Sequence, residues 1–230
     1  QNADPATPPE RRAVIHVRSD DNPAWYANPA NPYGRALGEG HLAFHNNLVN
    51  FTVDVGHGNP GAVGIDYHAS NQGVLKDVVI RSADGQGLVG LALDRKNTGP
   101  GFVTGVRIQG FATGILARSQ YVMTLEHIRL ENQSVAGLRN ETHTLAIRGL
   151  RSDNRVPALV QTDASGLVVL LDSELKGGDP GRHAIELDAG HLRARNVLAS
   201  GYASALRLAG VGVEGSYLAD YASGTPGGLW

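Results

Sequence analysis

From about residue 46 the chain repeats a short strand in which inward apolar residues stand two apart. The strand reads FTVDV (51–55), VVIRS (78–82), VRIQG (106–110), IRLEN (128–132), LRSDN (150–154), SELKG (173–177), VLASG (197–201) and SYLAD (216–220). Its second inward position is Val53, Ile80, Ile108, Leu130, Ser152, Leu175, Ala199 and Leu218, at separations of 27, 28, 22, 22, 23, 24 and 19 residues. A second column pairs a small residue with an aliphatic one: Gly64-Ile65, Gly90-Leu91, Gly114-Ile115, Gly137-Leu138, Ala158-Leu159, Ala184-Ile185, Ala205-Leu206 and Gly228-Leu229. A third apolar stretch precedes each first unit, as in GVLKD, GFVTG, VMTLEH, TLAIRG, LVVLLD and HLRARN. Columns that keep step for so long predict a solenoid whose turn of ~22–24 residues stacks on the next at ~4.8 Å. The expected fold is all-β: a single-stranded right-handed parallel β-helix of about eight coils with three short strands per coil. Small residues of the second column suit tight corners, and DRKNTGPG reads as a loop outside the coil. A β-sandwich would need hairpin signals such as Asn-Gly, which the chain lacks.

Residues 1–45 break this pattern and read as an amino-terminal arm or cap, leaving 46–230 as the β-helix domain. Within the arm RRAVIHVRS alternates like a strand, with Val14 and either Ile15 or Val17 as inward candidates, and Trp25 and Tyr26 could pin the arm to the body. Solenoids cover their exposed edges. The chain ends at Gly228-Leu229-Trp230, where an eighth second-column strand should begin, with no helix or polar cap after it. Either Trp230 folds over the last coil, or another copy, another chain or a missing continuation covers it. Self-association, or a fragment of a larger unit, is therefore expected. The chain starts at Gln1 and its one Met is Met123, so loss of an initiator through signal-peptide removal, processing or excision from a longer polypeptide is expected.

Composition narrows the chemistry. Thirty Gly and 11 Pro against 6% aromatic residues fit a turn-rich chain. The formal charge of −2 gives no footprint for nucleic acid. Zero Cys removes thiolate chemistry and Cys-held metals. No apolar run approaches the ~20 residues of a membrane span.

The stretches NFTVDVGHGNPGAVGIDY, LKDVVIRSADGQGLVGLAL, VRIQGFATGI and LEHIRLENQSVAGLRN resemble the pectin-lyase-like superfamily of parallel β-helices, particularly bacterial pectate-lyase-type and exo-glucanase-type domains. The resemblance spans roughly residues 42–210. It implies a polysaccharide partner, glycoside hydrolase or polysaccharide lyase activity, and a place outside the cell or on its surface. The chain lacks the family's Gly-Asp-Gly and Asp-Asp-Thr capping segment. It also lacks the Asn-Thr-Asp, Asp-Asp and Arg-Ile-Lys motifs of polygalacturonases. Gly56-His57-Gly58 looks like their Gly-His-Gly, and without carboxylate partners His57 reads as a turn residue.

Residues between the inward positions of the first strand point to solvent. They form two columns: Thr52, Val79, Arg107, Arg129, Arg151, Glu174, Leu198, Tyr217, and Asp54, Arg81, Gln109, Glu131, Asp153, Lys176, Ser200, Ala219. Two explanations remain open. The charges could form a self-satisfying surface lattice, each exposed pair worth ~0–1 kcal/mol. Alternatively, Arg107, Arg129 and Arg151 bind an extended glycan while Glu131, Asp153 and Glu174 supply catalytic carboxylates. Hydrolysis needs two carboxylates ~5–9.5 Å apart, and β-elimination a base near the sugar C5 with a cation on the uronate. Asp77, Gly105, His127, Gly149, Asp172, Asn196 and Gly215 form a column expected to be a bend. Asp66, His68 and Asn71 could hold a sugar or Ca²⁺, but their spacing matches no metal loop, so no cofactor or metal is expected. The leading function is a polysaccharide-active β-helix. The alternative is a noncatalytic binding or assembly module, such as a filament subunit, adhesin or stalk.

Overall fold

The computed structural model describes residues 11–17, 43–95, 97–119, 121–213 and 215–224. Trp25, Tyr26 and Gly228-Leu229-Trp230 lie outside these residues.

The chain is a parallel β-solenoid of about seven turns with three faces, and the described residues contain no helix. On the first face Val53, Ile80, Ile108, Leu130, Ser152, Leu175 and Ala199 align in one parallel register. On the second face Ile65, Leu91, Ile115, Leu138, Leu159, Ile185 and Leu206 do the same. Both rows run through the buried interior; Ser152 alone breaks the apolar run and is itself buried, accepting a hydrogen bond from Asn154 at 2.8 Å. The third face stacks Leu48, Leu75, Val103, Leu125, Ile147, Leu170 and Ala194.

Third and first faces meet at a corner one residue long. Asn50, Asp77, Gly105, His127, Gly149, Asp172 and Asn196 occupy it with φ between 48° and 68°. Gly, Asn and Asp tolerate this left-handed conformation best, which accounts for the column's composition. His127 is therefore a bend residue. The small residues of the second column answer a close approach. A Cβ on Gly64 would fall 2.2 Å from Ile80 Cγ2 and 2.6 Å from the Gly90 carbonyl oxygen. Interior amides seal the corner between the first and second faces: Gln133 Nε2 donates to Gly110 O and Glu131 O at 2.8 Å, and Asn154 Nδ2 to Gln133 Oε1 at 2.8 Å. The amides thus add donors to the buried carbonyls of this corner.

The strand Arg12–His16 joins the amino end of the second face in parallel register, Ile15 beside Ile65. Ile15 and Val17 pack against the core, whereas Val14, an expected inward residue, is 56% exposed.

The carboxyl end departs from the expected eighth coil. Leu206–Leu208 turns through Ala209 (φ 45°) and Gly210 (φ 85°) and pairs antiparallel with Val211–Val213. Two positive-φ central residues give the turn geometry that matches strand twist. Tyr217–Ala222 then runs antiparallel to His191–Ala199, so Leu218 lies beside Val197 rather than Ala199, and Ala219 leaves the exterior column. An Arg193–Asp220 ion pair at 2.5 Å and the Leu192–Ser223 backbone bond at 2.8 Å fasten it. These reversed strands cover the last coil, where the sequence indicated no cap. With their strand direction inverted, they also stop the coil from propagating.

Candidate functional site

The charged ladder lies on the first face, built by the three-residue strands Arg107–Gln109, Arg129–Glu131 and Arg151–Asp153 and by the end of Leu167–Lys176. In each, the middle residue enters the core and its neighbours must point outward. Register places Arg107, Arg129, Arg151 and Glu174 in one column and Gln109, Glu131, Asp153 and Lys176 in the other. The six residues singled out from the sequence are therefore brought together on one face, but in two environments.

The upper environment is closed. Glu131 is 7% exposed. Its Oε2 accepts from Arg107 Nε at 2.8 Å and pairs with Arg107 Nη2 at 2.7 Å, while Oε1 is held closely by Arg129 Nε. With both oxygens held by guanidinium groups, Glu131 is tied into the scaffold of the face.

The lower environment is open. Arg129, Arg151, Ser152, Asp153, Glu174 and Lys176 line a depression of about 180 Å³. Glu174 Oε1 pairs with Lys176 Nζ at 2.7 Å, both side chains well exposed. Arg151 and Asp153 are exposed, and among the described residues their side chains make no hydrogen bond or ion pair. Tyr202 sits beneath this end with its hydroxyl donating to Asn154 O at 2.8 Å; burial, helped by the Asp153 charge, pushes its pKa up to about 12, so it remains a proton-bearing donor.

Three arginines ~5 Å apart would repel. The Glu131 lock compensates two of them and leaves Arg151 available beside one free carboxylate. The depression can hold an anionic or hydroxyl-rich group; of the three candidate carboxylates, Glu131 is engaged by two arginines and Glu174 by Lys176, while Asp153 has no side-chain partner among the described residues.

Other singled-out residues do not converge. Asp66 is held by Arg95, His68 is buried, and Asn71 sits at φ 59°. Among the described residues no group of three or more His, Cys, Asp or Glu side chains could hold a metal ion. Gly56 (φ 69°) and Gly58 (φ 71°) flank His57 in a bend, as a turn residue requires. No described helix is long and apolar enough to cross a membrane.

Sequence reasoning missed a second polar cluster, Arg11, His16, Asp66, Asp94 and Arg95, on the outside of the second face. The signal was Ile15 as a member of the second column. Ile15 and Ile65 stand 50 positions apart, a spacing that breaks the period and hid the cluster.

Fold and ladder together define a parallel β-solenoid with a charged exterior strip. No family model matches the chain, and no curated protein is detectably similar to it.

Proposed function

We propose that the chain is a polysaccharide-active β-helix of the pectin-lyase-like kind, secreted or held at the cell surface, which binds an extended acidic glycan along the first face. The observation that carries this reading is the pairing state of the ladder: Arg151 and Asp153 stand without partners in an open depression while the charges around them are compensated. A uronate carboxylate would accept hydrogen bonds from Arg151 and Arg129, and neighbouring hydroxyls would donate to Asp153. Successive sugars would follow the rows of the coil. Where the bound chain is cleaved, elimination suits this face better than hydrolysis. Asp153 would take the C5 proton of a uronate neutralised by Arg151. The C4–C5 double bond forms as the C4–O bond breaks, and water protonates the departing oxygen.

The Glu131 lock favours a second reading, a noncatalytic glycan-binding or assembly module, because one of the three candidate carboxylates is engaged in structure. Incubation with a panel of acidic and neutral polysaccharides, followed by binding, reducing-end and ultraviolet unsaturation measurements, tests both. Unsaturated products that vanish in Asp153→Ala support the elimination reading. Binding lost in Arg151→Ala with no products supports the module. Absence of binding to every acidic glycan overturns the use of this face.

A further inference from the structure

A second cavity lies away from the ladder. Arg11, Ala13, His16, Asp66, Asp94 and Arg95 enclose about 350 Å³ outside the second face, at the amino end. Three successive rows build it. The strand Arg12–His16 lies beside Ala62–Asp66 with His16 next to Asp66 and Ala13 next to Val63; Asp94 and Arg95 follow directly after Val89–Leu93 in the row beyond.

Both aspartate side chains are nearly buried, at 9% and 7% exposure. Asp66 accepts from Arg95 Nε at 3.0 Å and Nη2 at 2.7 Å, and lies 3.6 Å from His16 Nε2. Asp94 accepts from Arg11 Nη2 at 2.8 Å and closely from Nη1. The His16 ring stands at the edge of the same cluster, its Nε2 2.5 Å from Arg95 Nη2. The two guanidinium groups and two carboxylates balance each other in formal charge.

Charge balance selects the ligand. A charged ligand would have to displace an arginine from a nearly buried carboxylate and leave that carboxylate uncompensated, which is unfavourable. A neutral polyol need not. Arg11 Nε and Arg95 Nη1 donate to nothing among the described residues, and each carboxylate oxygen keeps a lone pair beyond those its arginine uses. Donors and acceptors alternating across two planar pairs match vicinal hydroxyls, each of which gives and takes one hydrogen bond. Ala13 supplies a small apolar floor for ring C–H groups. The volume lies at the small end of the ~300–1,000 Å³ typical of ligand pockets.

We propose that this cavity binds a single neutral sugar unit of hexopyranoside size through its Arg11–Asp94 and Arg95–Asp66 pairs. The site is independent of the ladder and of what the ladder does.

The test is a titration of isotope-labelled protein with methyl glucoside, methyl galactoside and a galacturonate oligomer, followed by amide NMR. The neutral glycosides are expected to shift the amides of Ala13, His16 and Arg95 while leaving Arg151 and Asp153 unmoved. Ala13→Leu, which fills the cavity, is expected to weaken neutral-sugar binding about tenfold or more. Should that variant fail to fold, Arg11→Met, at a partly exposed position, carries the same expectation. Oligomer binding through Arg151 should persist in both variants, so failure of the ladder reading is seen separately. Saturating neutral glycoside that leaves the three amides unmoved, equal binding of the galacturonate at this cavity, or unchanged affinity in a folded variant would each overturn the proposal.

Discussion

Two adjacent stretches of one ladder show how identical placement yields different roles. Glu131 and Asp153 are register partners on the same face, yet Glu131 is buried between Arg107 and Arg129 whereas Asp153 is exposed and unpaired. The difference lies in the rows on either side. Glu131 has an arginine beside it in its own strand and another in the preceding row. Asp153 has Arg151 beside it and Lys176 in the following row, and Lys176 is drawn to Glu174. A column of outward residues is thus neutral scaffold or open site according to what the next coil contributes.

The sharpest contrast is inside against outside on one strand. Leu130→Ala, deleting a fully buried side chain, should cost about 2–5 kcal/mol in urea unfolding. Glu131→Ala removes the shared acceptor of two half-exposed arginines, which water can partly serve, and should cost about 1–3 kcal/mol. A loss under about 0.5 kcal/mol would show the lock to be an ordinary surface pair. Next come Arg151→Ala and Asp153→Ala. Each should leave stability within about 0.5 kcal/mol, since neither side chain has a partner to lose. Arg151→Ala should weaken acidic-glycan binding about tenfold by calorimetry. Comparable destabilisation by Asp153→Ala and Glu131→Ala would erase the distinction between the two stretches.

The sequence made the coil and the six ladder residues legible because period and alternation are local properties: a residue next to an inward Leu must face outward wherever its strand stacks. It did not reveal which charges pair, because pairing depends on side-chain reach between rows. Nor did it reveal the end of the coil. SYLAD carries the same alternation whichever way its strand runs, and Ala209 gives no sign of the left-handed conformation that reverses the chain. The second-face cavity was hidden because its first row is separated from the rest by a long unpatterned segment.

The smallest effect is expected at the amino end of the same column, where Asp54 and Arg81 form an exposed pair at 2.8 Å. The Asp54 carboxyl is held below the usual range first by the Gly56 amide, which donates at 2.8 Å, and then by Arg81. A carboxyl with a depressed folded pKa contributes stability above its unfolded pKa and loses it as pH falls through the folded one. Any contribution from Asp54 is therefore present at neutral pH and disappears below about pH 4. Arg81→Ala removes the lesser cause and keeps the greater. Carboxyl NMR should find the Asp54 midpoint moved upward but still under that of an unstructured aspartate, with the unfolding midpoint at neutral pH unchanged within error. A full return to the ordinary value would mean that the arginine, not the turn, sets the charge here. An exposed pair would then govern its carboxylate directly, and burial would no longer separate scaffold from surface along this ladder.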